Sequence, residues 1–377
     1  MRAPRHVGLN ALFLDPGRSG GPETYIRGLV PALAREHPTT RFTVVTTRRG
    51  ARALRADGWT DFCSLMAMAS DEGQRGRRLW SEQVRLPLTA RRRGWDVLHS
   101  TASVAPLWTA RVPAVVTLHD VTFLQMTTFS RLTTFAMRTT VVGPARRAQA
   151  LVAVSAAARD QAVAVLGLPA DRFVVAPNGP GRPQAAAPVP EAAVRASQGL
   201  GPTTRVVLCV AALRPHKDQA TLVASLPHLP ADVELVLCGH PEGYERTVRE
   251  LAIELGVEQR VRILDYVSDS LLEGLWAASA CAAFPTRAEG FGLPVLEALR
   301  RGVPVACSDL RVLREVGGNV PHYFKPGDAR AAARAVDAAM RDTTASVRGP
   351  VQAAGFSWEA AARTTFTAYE RALAAAA

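Results

Sequence analysis

Residues 281–308 read CAAFPTRAEGFGLPVLEALRRGVPVACS. The order of residue types predicts a strand, a glycine loop, a helix and a second strand. Cys281 to Phe284 is a short apolar run closed by Pro285, as a buried strand would be. Gly290 and Gly292 flank Phe291 and leave main-chain N–H groups uncovered. Pro294 suits the first turn of a helix, where a missing N–H costs nothing. Leu293, Leu296, Ala298 and Leu299 give that helix an apolar side, Gly302 stops it, and Val303 to Ala306 begins the next strand.

Such a stretch suits an anionic sugar ligand. A helix N-terminus preceded by glycines offers N–H donors and a positive dipole end to a phosphate. Glu289 precedes the helix and Glu297 lies about one turn inside it. A carboxylate accepts two hydroxyl hydrogen bonds at once, so each fits a vicinal diol. A nucleotide sugar carries a diol on its ribose and hydroxyls on its hexose, with a diphosphate between. Either glutamate alone would more often be an exposed helix residue; the string taken whole fits the ligand better.

Glu289, seven residues and then Glu297, with Gly-Phe-Gly-Leu-Pro between them, resemble the donor-site motif of bacterial, mannosyltransferase-like, retaining family 4 glycosyltransferases of the GT-B fold. The resemblance runs through nearly the whole chain. It implies an α/β fold of two Rossmann-like parallel-sheet domains facing across a cleft. Residues 1–183 would bind the acceptor, 184–358 would bind the nucleotide sugar, and 359–377 would form a helix crossing back to the first domain. The implied reaction moves a hexose, mannose foremost, from a GDP- or UDP-linked donor to an acceptor hydroxyl with retention. The implied mechanism is a front-face substitution with no metal or other cofactor, and no Asp-x-Asp metal motif accompanies the site.

The same resemblance assigns residues. Lys217 matches a lysine that holds the donor diphosphate. The arginine that usually accompanies it is displaced: Ala212 and His216 stand at the plausible positions, and Arg214 lies nearby. Gly239, Tyr266 and Val267, at two strand ends, would meet the nucleotide base through main-chain groups. Gly290, Phe291, Gly292 and Leu293 would line the diphosphate and hexose, Glu297 would hold the ribose, and Glu289 and His119 would serve catalysis. Gly20, Gly21, Asp120 and Asn178 would form the acceptor and phosphate loop. On residue type alone, the Gly-x-x-Gly-Gly-x-Glu run at 17–23 is a weak dinucleotide signal. A lone His119-Asp120 pair is usually structural, although its place at a strand end favours a ligand role.

Composition bounds the rest. At 377 residues, two domains are expected. No apolar run is long enough to span a bilayer, and the N-terminus shows no signal-peptide core. The five dispersed cysteines have no metal spacing and read as core thiols of a cytoplasmic protein. Residues 1–185 hold 25 arginines against 12 acidic residues, a balance of +13, whereas 186–377 stand at −1. A basic half fits an anionic membrane surface, a phosphorylated acceptor, nucleic acid or plain solvent.

Strands are expected at 6–14, 41–47, 96–99, 112–118, 151–155, 173–176, 205–212, 233–238 and 261–264. Helices are expected at 22–35, 156–166 and 271–278, a linker near 179–190, and a last helix after Trp358. Two arginine-rich stretches, 73–93 and 125–150, read as membrane- or acceptor-facing, or as surface helices packed on their own domain. The acceptor classes left open are a glycan, a lipid-linked molecule at the inner membrane face and a small soluble metabolite. The rivals are a sugar-nucleotide epimerase of the same fold and a nucleic-acid-binding protein. The second lacks aromatic interleaving for stacking bases.

Overall fold

The sequence lays down strand and crossover helix in alternation, and such units build parallel sheets because a parallel connection needs a long crossover. A computed structural model of the chain describes residues 3–69, 75–121, 137–181 and 187–376. Two compact units result, one of residues 1–179 with 356–377 and one of residues 180–355. Of the sequence expectations, Arg131, Phe129, Leu132 and Phe135 of the second arginine-rich stretch lie outside the described residues, as do 182–186 of the linker.

Among the described residues the first unit holds seven strands: β1 (His6–Ala11), β2 (Arg41–Thr47), β3 (Ser64–Ala69), β4 (Val97–Ser100), β5 (Ala114–Leu118), β6 (Ala150–Ala153) and β7 (Phe173–Val175). Their order is β3-β2-β1-β4-β5-β6-β7, every pair parallel. Strand β1 ends at Ala11 and not at Leu14, because the Leu14 N–H turns back to the Ala11 carbonyl at 3.0 Å. Strand β3, sequence SLMAMA, was not expected. It carries no β-branched residue, and pairing with β2 supplies what propensity does not. Gly8 in β1 leaves room for the Trp95 indole, which would stand 1.9 Å from any Cβ there.

The second unit holds β8 (Arg205–Val210), β9 (Val233–Cys238), β10 (Val261–Leu264), β11 (Ser279–Phe284), β12 (Val305–Ser308) and β13 (His322–Phe324). The order is β10-β9-β8-β11-β12-β13, again all parallel. The chain runs outward from β8 to β10, then returns to the other side of β8 as β11. The strand order therefore reverses between β8 and β11. Ligands of open parallel sheets bind outside the carboxyl ends of the strands at such a point. Its core is aliphatic, with Leu222, Val223, Val233, Leu235, Leu237 and Val336 each at most 1% exposed.

The last helix, Trp358–Ala374, packs on the helix Gly21–Glu36 of the first unit. The Trp358 ring lies against two glycines: a Cβ on Gly28 would come within 2.0 Å of it, and one on Gly179 within 2.6 Å. Tyr369 of this helix is wholly buried. All five cysteines are buried and unpaired, and burial pushes the thiols of Cys63, Cys209 and Cys281 up to about 12. Among the described residues no helix is long and apolar enough to cross a membrane.

Candidate active site

In the second unit two neighbouring strands deliver the charged residues. The loop after β8 makes a single 3₁₀ turn, Pro215–Lys217, and leaves through Asp218, a buried residue with a φ of +53°. A non-glycine residue in the left-handed region is held there only by its surroundings. The holding groups come from the loop after β11. Arg287 gives its N–H to the His216 carbonyl at 2.8 Å and its Nε to the Asp218 carboxylate at 2.8 Å. Thr286 gives its hydroxyl to the His216 carbonyl at 3.0 Å. Beside these, Lys217 forms an ion pair with Glu289.

Lys217 and Glu289 are both largely buried. The Lys217 ammonium also sits 5.3 Å from the centre of the Phe284 ring. Burial pushes the Glu289 carboxyl up, but the adjacent Lys217 charge and its hydrogen bond, with the Gly290 N–H at 3.2 Å, outweigh burial and hold it below the usual glutamate value. Glu289 is thus an anion in place. An ammonium has three donors and no acceptor, so the ion pair leaves Lys217 able to bond further oxygens.

The helix after the loop is Leu293–Arg300, with Gly292 as its N-cap. Gly292 has a φ of +99°, and a Cβ there would meet the Leu313 side chain at 2.6 Å. Glycine is required on both counts. Phe291 is buried and Leu293 is half-buried. Glu297 lies on the same helix, its carboxylate against Gly181, where a Cβ would stand 1.6 Å from Oε1.

The remaining expected residues sit on neighbouring loops of the same edge. Gly239 follows β9 with its backbone pressed on Ala211, whose carbonyl oxygen a Cβ would approach to 2.1 Å. Tyr266 and Val267 follow β10, Tyr266 more exposed than Val267, and the Tyr266 N–H bonds the Asp265 carboxylate at 2.7 Å. His240 meets Asp265 at 3.2 Å and so ties the β9 and β10 loops together. Arg214 gives two N–H groups to the Glu242 carboxylate, each at 2.6 Å. The structure therefore joins Lys217, Glu289 and Gly290 directly and uses the Arg214 guanidinium on another side chain.

In the first unit, Gly20 and Gly21 open the helix Gly21–Glu36. Gly20 has a φ of +59°, and open space surrounds the Cβ positions of both glycines. The loop before them is closed by its own side chains. Glu23 is buried and accepts from the Gly17 N–H and the Arg27 guanidinium, both at 2.9 Å. His119 follows β5, with Nε2 2.9 Å from the Thr101 carbonyl and its ring edge-on to Tyr25 at 4.8 Å. Asp120 follows it, half-buried. Asn178 is buried, and its Oδ1 meets no hydrogen-bond donor among the described residues.

Behind His119 runs a buried chain of hydroxyls around one imidazole. Tyr25 bonds Thr117 at 3.0 Å, Thr117 bonds His99 at 2.8 Å, and the other His99 nitrogen bonds Tyr369 at 2.8 Å. Burial, with a smaller contribution from the His119 charge, pushes His99 down to about 3. Burial pushes Tyr25 up to about 12, against its bond to Thr117.

Sequence reasoning missed Arg287, Thr286 and Asp218 as the clasp between the two loops, and Gly181 as the partner of Glu297. The signal for the clasp was adjacency: Asp218 follows Lys217, and Arg287 stands two positions before Glu289. Gly181 gave none, since its contact is made by the fold.

With this geometry in view, the chain can be set beside known proteins. Residues 19–180 match the family described as Glycosyltransferase Family 4, and residues 191–350 match glycosyl transferases group 1. The architecture is shared with Anabaena HepE in complex with UDP and glucose, at 20% identity over 96% of this chain and 98% of that one, with a TM-score of 0.74. It is shared too with sucrose-phosphate synthase of Thermosynechococcus elongatus, at 20% identity over 98% and 100% of the chains, with a TM-score of 0.76. The fold is GT-B, its first unit similar to family 4 glycosyltransferases and its second to group 1 glycosyl transferases. Among curated relatives it is 32% identical over 238 residues to O-antigen chain mannosyltransferase B of Escherichia coli, covering 59% of this chain and 61% of that protein. It is 33% identical over 196 residues to D-inositol 3-phosphate glycosyltransferase of Mycolicibacterium gilvum, covering 50% and 44%. The chain thus spans less than two thirds of the length of these relatives.

Proposed function

We propose that the protein is a retaining hexosyltransferase that takes its sugar, mannose foremost, from a nucleoside diphosphate donor bound by the second unit. The observation that carries this reading is the Lys217–Glu289 ion pair at the reversal of strand order, beside the glycine-led helix Leu293–Arg300. The diphosphate takes the free donors of Lys217 and the main-chain N–H groups from Gly290 to Leu293. These groups oppose the charge that grows on the leaving phosphate in the transition state. Glu297 accepts from the ribose hydroxyls, Glu289 accepts from the hexose hydroxyls, and the Gly290–Gly292 N–H groups donate to the hexose oxygens. Gly239, Tyr266 and Val267 contact the base. In the first unit, Gly20, Gly21, His119, Asp120 and Asn178 are assigned to the acceptor side.

In the proposed step the acceptor oxygen approaches C1 on the face the phosphate leaves. The C1–O bond to phosphate breaks, the C1–O bond to the acceptor forms, and the acceptor proton passes to the leaving phosphate. Glu289 and Glu297 belong to one continuous loop and helix, which fits sugar binding better than the opposed carboxylate pair of a hydrolase. The mannosyl preference rests on the O-antigen relative, and the chemistry of the acceptor on the hydroxyl alone.

The deciding experiment incubates the purified chain with GDP-mannose, UDP-glucose and other nucleotide sugars, with and without a cell-extract acceptor fraction, and reads products by mass spectrometry. Acceptor-dependent addition of one hexose, lost in Lys217→Ala and Glu289→Gln, supports the reading. Conversion of donor alone would make the protein an epimerase. Transfer unaffected by both substitutions overturns the site.

A further inference from the structure

Lys217 is bracketed by bonds on both sides. Before it, the His216 carbonyl accepts from the Arg287 N–H at 2.8 Å and from the Thr286 hydroxyl at 3.0 Å. After it, the Asp218 carboxylate accepts from Arg287 Nε at 2.8 Å and from the Thr221 hydroxyl at 2.7 Å, both on Oδ2. All but the Thr221 bond come from the loop after β11, which also carries Glu289. The loop that supplies the anion of the Lys217–Glu289 pair therefore grips the chain immediately before and after the lysine.

The grip on Asp218 fixes a backbone choice. Asp218 closes the 3₁₀ turn Pro215–Lys217 and opens the helix Gln219–Ser225, with a φ of +53° and a ψ of +39°. A residue with a Cβ enters this region at a cost, smaller for aspartate than for most, and absent for glycine. The helix cannot follow a change at Asp218, because Leu222 and Val223 lie in the core at 1% and 0% exposure. Relaxation of Asp218 to a negative φ would be taken up on its other side, where Lys217 stands.

The guanidinium is itself seated. Its Nη2 lies over the loop after β13, where a Cβ on Gly327 would stand 3.2 Å away. The Arg287 side chain is 58% exposed and the Asp218 side chain 5%. An exposed ion pair contributes little by its own attraction. One that chooses between two backbone states of a buried residue acts through the state it favours.

We propose that Arg287 is a positioning residue for the donor: by holding Asp218 in the left-handed turn, it keeps Lys217 directed at Glu289 and at the diphosphate. The proposal rests on the reading of Lys217 as the diphosphate lysine. Without the clasp, Lys217 is in place for only a fraction of the time. Apparent affinity for a nucleoside diphosphate falls by that fraction, while turnover at saturating donor is kept, because the bound donor holds the competent state.

The test is calorimetric titration of the full chain with GDP, UDP, ADP and dTDP, alongside donor kinetics. In Arg287→Ala the Kd for the nucleotide that binds the parent should rise about tenfold, and KM for the donor with it, while kcat stays within about twofold. The double variant Arg287→Ala with Asp218→Gly should recover to within about threefold of the parent Kd, since glycine takes either sign of φ about equally. A purely structural loss would not be repaired by a second substitution that removes another bond. Parent-like affinity in Arg287→Ala overturns the inference, provided Lys217→Ala binds more weakly than the parent. So does a tenfold loss that persists in the double variant while its melting transition matches that of the parent. If the parent binds none of the four nucleotides, or if Lys217→Ala binds as tightly as the parent, the donor reading itself falls, and this inference with it.

Discussion

Both units wind a parallel sheet outward from a central strand and back, yet their strand ends are finished differently. In the second unit the loops after β8 and β11 are held by charged pairs, Lys217 with Glu289 and Arg287 with Asp218. In the first unit the side chains behind His119 form a neutral, buried chain through Tyr25, Thr117, His99 and Tyr369. A charged pair with spare donors can change partners when an anion arrives. A buried neutral chain cannot do so without leaving polar atoms unsatisfied. The second edge therefore keeps donors able to take a new partner, and the first does not.

The sharpest way to break this contrast is Lys217→Ala. Turnover should fall by roughly 10²–10³-fold, the cost of removing one group that opposes transition-state charge. The pH profile of the residual activity should also move up, because burial of Glu289 is then no longer offset by Lys217. A turnover within twofold of the parent would mean that the pair is structural.

Next in size, Gly292→Ala should cost about 1–3 kcal/mol of stability in the second unit, through its φ of +99° and the crowding by Leu313. Chemical denaturation followed by a probe in that unit reads the change. An unaltered midpoint would mean that the loop relaxes freely and does not fix the helix start.

The neutral chain has a pH signature. His99 binds its proton far less readily folded than unfolded, so at acid pH the unfolded state takes up more protons. The contribution is complete above about 6.5 and is lost as pH falls toward 3. At pH 5 the first unit should be less stable by about 2 kcal/mol from this group. Urea midpoints at pH 7 and pH 5, compared with those of His99→Gln, check it, and the variant should show the smaller pH effect.

The smallest effect is expected at Arg214→Ala. Arg214 and Glu242 are part-exposed, and such pairs contribute at most about 1 kcal/mol. A large rise in KM for donor with kcat unchanged would instead show that Arg214 leaves Glu242 for the diphosphate.

Legibility in the sequence followed the same divide. The glycine loop and helix at 281–308 were readable because Gly292, Pro294 and Gly302 each have a local backbone reason to be where they are. Lys217 and Glu289 could each be singled out in the sequence, but not as partners, since 72 positions separate them. Strand β3 was hidden because Ala and Met have no strand preference, and pairing with β2 decides. The chain around His99 was hidden as well: His, Thr and Tyr in separate strands and helices signal nothing until the fold joins them. The stretch 73–93 was undecided on sequence, where an amphipathic run fits either burial or exposure, and the fold exposes Trp80 and buries Leu86.

The seating of Trp358 on Gly28 and Gly179 bears on how the molecule is born. Residues 180–355 form an uninterrupted span and can complete their sheet as soon as they leave the ribosome. Residues 1–179 emerge earlier but lack the Trp358 ring and the Tyr369 hydroxyl until residues 358–369 have also been made, so we expect the half made first to mature last. Protease challenge of ribosome-stalled chains ending near residue 355 should find the later half resistant and the earlier half still open to cutting. Equal resistance of the two halves would refute that order.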